Sequence, residues 1–440
     1  MKSSLEALPI ELVERIVTLL DLRDIASLRL TNRNIESKAS QGYFTTFFYH
    51  KNIMLCTNTL ENMVRVTSRG RLGCQLRYCT ITGISGLYVA TTLDLHDYAR
   101  LLTEAFLNLK KFSPRGRLAS LCLRVIARAQ DSDGGLREPE TFHAWRDIWT
   151  TALHIFDVTM LALNESHTSV DEYLDVFGGT IGCSLAYGAF LSLTEKFPSM
   201  DSLRSLKKLM LSLSSSHTYP TEQLTNTATT APEGLCQSIL QMSGIMPELE
   251  SLDLHWYDVG SNMPPTLVQS TTSLKNNSHS KFARLKECSL RGVYVSENEL
   301  LEFVKAVHPA ALTMADVHLI SGTYTSIFEY LTLSETPVTY YHLDDIREGI
   351  DLVHFDVPGG PKFRYQDINM GPSTLIRQMD HVKEPIQYRI TRRRPLGSGE
   401  RRRWCESKYR EYGPLRQAVY DFVELNSPVD FPASDNSEDG

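Results

Sequence analysis

A short apolar pattern, Leu-x-x-Leu-x-Leu taken loosely, recurs along this chain and constrains its fold more than any other feature. The clear copies are Leu206/Leu209/Leu211, Leu249/Leu252/Leu254 and Leu285/Cys288/Leu290. Substituted copies stand at Met314/Val317/Leu319, Leu118/Leu121/Leu123 and Leu76/Cys79/Ile81. Ile350/Val353/Phe355 is a further copy and Leu174/Val176 a partial one. The last two apolar positions lie two apart, so both project to the same side of a short strand. Stacked copies bury one continuous apolar row and leave the alternate residues on the other face of the sheet.

The spacing is uneven: 43 residues separate Leu209 from Leu252, 36 separate Leu252 from Cys288, and 29 separate Cys288 from Val317. Two architectures fit this: an irregular solenoid of strand–helix units, or an unrelated α/β domain with short strands. Helices between the strands favour the solenoid. Ser296-x-x-Glu299 forms a capping box ahead of Leu300, Leu301, Phe303, Val304 and Val307, and Pro309 ends the run. Residues 145–164 also predict a helix, with Trp145, Ile148, Trp149, Ala152, Leu153, Phe156 and Met160 along one side.

The first fifty residues differ in period. Pro9 stands where a helix begins, and apolar residues follow at Leu12, Val13, Ile16, Val17, Leu19 and Leu20. Asp21 is placed to cap a second helix carrying Leu22, Ile25, Leu28 and Leu30, and a third starts near residues 31–34. It runs toward the cluster Tyr43, Phe44, Phe47, Phe48 and Tyr49. One reading is a helical cap that buries these stripes in a larger domain. A unit this short has little room to bury two broad apolar faces by itself, which favours a partner.

Leu8-Pro9-x-Glu11-Leu12, Ile16, Leu19-Leu20-Asp21-Leu22, Asp24-Ile25 and residues 28–33 (Leu-Arg-Leu-Thr-Asn-Arg) resemble an F-box, in order and in spacing. Ile35 departs from the resemblance, because many F-boxes carry an aromatic residue near there. The resemblance implies binding to the Skp-type adaptor of a cullin–RING ubiquitin ligase, and through it to a cullin. Leu8, Pro9, Leu12, Ile16, Leu22, Ile25, Leu28 and Leu30 match the family's apolar positions. Most of them are expected to contact the adaptor and some to serve the F-box's own packing.

Irregular leucine-rich-type units after an F-box are similar to many fungal F-box proteins. The expected fold is α/β: an N-terminal helical F-box followed by an irregular leucine-rich-repeat-like α/β solenoid. The expected boundaries are 5–50 for the F-box, 51–75 for a helical connector and 76–385 for the repeat-like domain. Residues 386–426 read as a basic C-terminal segment, and residues 427–440 as a disordered acidic tail.

Composition sets outer limits. At 440 residues, 42% hydrophobic and 22% charged, the chain reads as globular with two or more packed units. A net charge of −7 argues against nucleic-acid binding driven by electrostatics. The eight cysteines are scattered without zinc spacing, so no metal site is expected and the thiols read as reduced. The long uncharged stretch 177–194 contains four glycines and several hydroxyl residues and is too polar for a membrane span. Cytoplasm and/or nucleus is the expected location.

Three polar insertions, 128–140, 214–234 and 259–280, each follow a predicted strand and so should leave one rim of the fold. They read equally as neutral surface insertions. Between the apolar positions, Cys122, Met210, Asp253, Ser289, His318 and His354 are expected to face outward, and after them Arg124, Ser212, His255, Arg291, Ile320 and Asp356. Asp253, His255, Trp256 and Arg291 are the expected target-binding patch, since aromatic residues and arginine are favoured at interfaces. The alternative is a solvated sheet face with internal ion pairs.

Two arginine triplets, 392–394 and 401–403, flank a Pro-Leu-Gly-Ser-Gly turn and read either as a nuclear import signal or as a solvated loop. No Walker loop, GxSxG, HExxH or GxGxxG motif occurs, so neither catalysis nor a cofactor is expected. The implied role is a substrate-recognition adaptor of a Skp–cullin–F-box ubiquitin ligase, with an unknown protein as target and no membrane contact. The alternative is a non-catalytic interaction scaffold that does not drive ubiquitination.

Overall fold

Four short helices open the chain: α1 (Ile10–Val17), α2 (Leu22–Thr31), α3 (Arg33–Ala39) and α4 (Tyr43–Thr46). The computed structural model describes residues 5–85, 92–127, 142–179, 183–197, 200–214, 234–257, 284–349, 351–360 and 370–391. Pro9 is the N-cap of α1, and its carbonyl accepts from the amides of Leu12 at 3.1 Å and Val13 at 3.2 Å. Asp21 caps α2 by accepting from the Asp24 amide at 2.8 Å, and Asn32 caps α3 from the Asn34 amide at 2.6 Å. These side chains satisfy N–H groups that a helix start leaves without internal partners. Val13, Val17, Ile25, Ile35, Ala39 and Phe44 form a small core of their own. Ile35, where the chain departs from the F-box resemblance, is buried in that core.

A large mixed α/β unit follows. Its first part runs β1 (His50–Met54), α5 (Thr57–Ser68), β2 (Tyr78–Ser85), α6 (Thr92–Phe112), β3 (Arg117–Ala127), α7 (Phe142–Ser166), β4 (Ser169–Val176) and β5 (Leu185–Ala186). Then come α8 (Tyr187–Lys196), β6 (Lys208–Ser214), α9 (Leu235–Gln241), β7 (Ser251–Tyr257), β8 (Glu287–Arg291), β9 (Tyr294–Ser296) and α10 (Glu297–Val307). The last part is β10 (Ala311–Ala315), β11 (His318–Ser321), α11 (Thr325–Thr332), β12 (Tyr340–Asp344), β13 (Arg347–Glu348), β14 (Asp351–Phe355), β15 (Thr374–Gln378) and β16 (Tyr388–Thr391).

The main sheet has the order β1-β2-β3-β4-β6-β7-β8-β10-β12-β15, with β5 extending it beside β6. Its strands follow one another in chain order. All pairs are parallel except β12 with β15. Parallel neighbours need crossover segments, and most of these are helices. The register aligns Leu121, Leu174, Leu209, Leu252, Cys288 and Leu312 across six strands, all of them buried in one core with the helices. The N-cap half of the expected capping box forms: the Ser296 hydroxyl accepts from the Glu299 amide at 3.3 Å, while Glu299 Oε1 accepts from the Cys236 amide at 3.2 Å. Leu300, Phe303, Val304 and Val307 are buried. Among the described residues no helix is long and apolar enough to cross a membrane.

Three corners generate a second, smaller sheet, β16-β14-β13-β11-β9. Gly292, Asp316 and Asp345 each follow a main-sheet strand with φ of 67°, 54° and 51°, and each sends the chain into a short second strand. The Gly292 amide donates to Ala315 O at 3.0 Å, Asp316 to Asp344 O at 2.8 Å, and Asp345 to Ser373 O at 3.0 Å. At Gly292 a Cβ would lie 2.4 Å from the Trp256 carbonyl oxygen, so the close approach as well as the positive φ requires glycine.

Several expectations change here. Leu319, Val353 and Phe355 belong to strands of the second sheet, not the main one, and Val317 directly precedes β11. The main-sheet strands of those units are β10 and β12, with Leu312, Met314, Tyr341 and Leu343 buried. His318 and His354 therefore leave the outward row: His318 pairs with Tyr294 and Arg347, and His354 is 2% exposed. The connector 51–75 contains most of an edge strand of the main sheet, β1, as well as helix α5, and both contribute to the main core. β16 closes the second sheet from within the segment expected to be a basic tail. The three polar insertions, both arginine triplets and the acidic tail lie outside the described residues, apart from Ser214 and Gly234.

Candidate protein-binding surfaces

The helical unit spends its buried positions on itself and leaves large apolar side chains in solvent. Ile25 is 0% exposed, inside the small core, and so leaves the set of expected contact residues. Leu8, Leu20 and Leu28 are half-buried against that core. Leu12 is 48% exposed, Leu22 45%, Leu19 83% and Leu30 88%. Pro9 is exposed at the start of α1, and Ile16 is half-buried. Burying a leucine side chain is worth roughly 1.5–3 kcal/mol, so several left in water on so small a unit favour a partner.

Polar ties hold this surface in place. Lys38 Nζ donates to Glu6 O and Leu8 O, each at 2.8 Å, which fixes the segment before α1 against α3. Asn32 Nδ2 donates to Glu6 Oε1 at 2.6 Å. The Arg29 guanidinium lies over the Phe44 ring, 4.3 Å from its centroid, and donates to Ser40 Oγ at 2.7 Å.

The second surface is the outward face of the main sheet. Its register places Cys122, Asp175, Met210, Asp253 and Ser289 in one row across five strands. Arg124, Ser212, His255 and Arg291 stand one step further along β3, β6, β7 and β8. Arg291 reaches Asp253 Oδ2 at 3.4 Å and Ser289 Oγ at 3.4 Å, and its side chain is 42% exposed. His255 stacks obliquely on Tyr257, with ring centroids 4.0 Å apart. Asp253, His255 and Arg291 are thus brought together as expected.

Trp256 is not part of that patch. It shares the parity of Leu252 and Leu254, so it points inward, is 3% exposed, and packs edge-on against Tyr187 at 5.9 Å. The outward face also contains Asp175, in that row, and Tyr173 one step earlier along β4; both flank Leu174 of the partial copy and neither was expected there. Burial pushes the Asp175 carboxyl up from its ordinary value. Its bonds from the Gly178 and Gly179 amides, the nearby Arg124 and the Tyr173 hydroxyl oppose that shift. Ser212 is wholly buried although it faces the outer side. At Gly178 a Cβ would sit 2.3 Å from Met210 Cγ, so this turn lies against the outer face.

Among the described residues no group of three or more His, Cys, Asp or Glu side chains is placed to hold a metal ion. The face carries both signs of charge, with Asp253 beside Arg291.

The F-box domain family matches residues 5–45, the span that holds α1, α2, α3 and the start of α4. No curated protein matches the chain.

Proposed function

From the F-box domain at residues 5–45, we propose that the protein is a substrate-recognition adaptor of a Skp–cullin–F-box ubiquitin ligase. The observation that carries this reading is the coincidence of that match with exposed Leu12, Leu22 and Leu30 on capped helices. The adaptor-facing set is Leu8, Pro9, Leu12, Ile16, Leu22, Leu28 and Leu30. Apolar burial supplies most of the binding energy.

In this reading the large α/β unit is an irregular leucine-rich-repeat-like solenoid. Support comes from strands stacked in chain order, parallel up to β12, and from the repeated corners at Gly292, Asp316 and Asp345. The outward face, with Asp253, His255 and Arg291, captures the target. The chain itself is not the catalyst. Holding target and ubiquitin-loaded enzyme on one scaffold raises their effective concentration, and the transfer chemistry belongs to the other subunits. Such an assembly works in the cytoplasm and/or nucleus.

The test is co-purification of the full chain with a Skp-type adaptor, wild type against Leu12→Ser/Leu22→Ser/Leu30→Ser. These side chains are exposed, so the variant keeps its fold while affinity falls by roughly a hundredfold. No capture by the wild type overturns the ligase reading. Target turnover that does not depend on the cullin leaves only a scaffold.

A further inference from the structure

Outside the F-box core, helices α5 and α6 end side by side and present an apolar pair inside a basic rim. Asn108 Nδ2 donates to Thr67 Oγ1 at 3.4 Å, and the Phe112 side chain lies against Gly70, whose Cβ would meet it at 3.7 Å. Val66 packs against Gly73 in the same way. Both apolar side chains nevertheless remain open to solvent: Val66 is 45% exposed and Phe112 41%. Near them Arg65, Arg69, Lys111 and Arg115 are all exposed, and Lys111 Nζ stands 4.9 Å from the Phe112 ring centroid. The nearest acids along the two helices, Glu61 and Glu104, lie a turn or more behind.

Cations in the last turn complement a helix's C-terminal dipole, which accounts for single charges there. It does not account for a valine and a phenylalanine held in water at their centre. The segment that follows α5 also reaches the F-box unit. Leu72 lies between Gly70 and Gly73 and packs on the F-box core beside Phe48, and on α4 Tyr43 and Phe47 are exposed and stacked edge-on at 5.2 Å.

We propose that the adaptor interface runs past the F-box onto these helix ends, where an acidic segment of the Skp-type adaptor docks with an apolar side chain on Val66 and Phe112. The inference rests on the reading of the chain as a Skp-type adaptor's partner. It adds a second contact to that interface, distinct in chemistry from the uncharged leucines of α1 and α2. The basic rim supplies long-range attraction that salt screens, and the apolar pair supplies burial.

The test measures affinity of the full chain for the Skp-type adaptor at low and high salt. Two variants are compared, Val66→Ser/Phe112→Ser and Arg69→Glu/Lys111→Glu, beside Leu12→Ser/Leu22→Ser/Leu30→Ser. All the replaced side chains are exposed, so the core is untouched. The serine pair is expected to bind about tenfold more weakly at either salt. The charge-reversed pair is expected to lose about tenfold at low salt and to show a flattened salt dependence. Wild-type affinity in either variant overturns the inference while adaptor capture by the wild type keeps the ligase reading standing. Absence of any wild-type binding overturns both.

Discussion

Arg29 holds its guanidinium 4.3 Å from the centroid of the Phe44 ring and so joins α2 to α4 across the small helical core. Phe44 is fully buried there. Phe44→Ala is expected to destabilise the helical unit by about 3–5 kcal/mol. Arg29→Ala removes a cation–π contact and a hydrogen bond and is expected to cost about 1–2 kcal/mol. Limited proteolysis should then cleave within residues 5–48 first, leaving the sheet protected, because the two cores are separate. Simultaneous loss of both units would contradict that separation.

Neighbouring residues on β7 should behave in opposite ways. Trp256→Ala empties a buried site and is expected to lower stability by about 3–5 kcal/mol in urea denaturation. His255→Ala with Arg291→Ala should change stability by less than about 1 kcal/mol, since the Arg291–Asp253 pair is partly exposed. Target capture should drop in the second variant, and retained capture would remove this face from the proposed function.

Arg347 and Asp316 lie at a corner between the two sheets, with Nε 3.8 Å from Oδ1 and both side chains 5% exposed. His318 Nε2 approaches the same oxygen at 3.4 Å. Arg347→Met leaves the Asp316 carboxylate buried without its guanidinium and is expected to cost about 3–5 kcal/mol. A loss below about 1 kcal/mol would mean that water or His318 takes over the compensation.

His354 introduces a pH dependence. Burial holds its imidazole below the ordinary value, opposed by the bond from Nδ1 to the Gly371 carbonyl at 2.8 Å and by Asp345. A depressed histidine binds its proton less well in the folded state than in the unfolded chain. Stability is therefore full above the unfolded value of about 6.5 and falls as pH drops from there toward the folded value. The melting temperature of wild type should decrease between pH 8 and pH 5 by more than that of His354→Gln. Parallel curves would rule out His354 as the source.

Local chemistry was legible wherever one short segment decides the outcome. Pro9, Asp21, Asn32 and Ser296 each stand at the start of their helix, because a cap is satisfied by N–H groups two to four residues away. The strands around Leu121, Leu209, Leu252 and Cys288 were legible for the same reason, since period-two alternation is a property of the strand itself. Alternation also implied that Trp256 faces inward with Leu254, and grouping it with the outward residues overlooked that parity.

The rest depends on contacts between distant segments. A broad apolar stripe on α2 does not say that Ile25 faces α1 and α3 while Leu30 faces solvent; the packing of three helices assigns those sides. Leu319 fits the repeat pattern, yet it lies in the second sheet because the chain turns at Asp316 with positive φ. That turn is held by a hydrogen bond to Asp344 on the next strand, 28 residues away. The sequence by itself determined helix starts, strand parity and the F-box. Tertiary structure alone decided which apolar residues stay in water and which strands share a sheet, because burial and pairing are settled between segments, not within them.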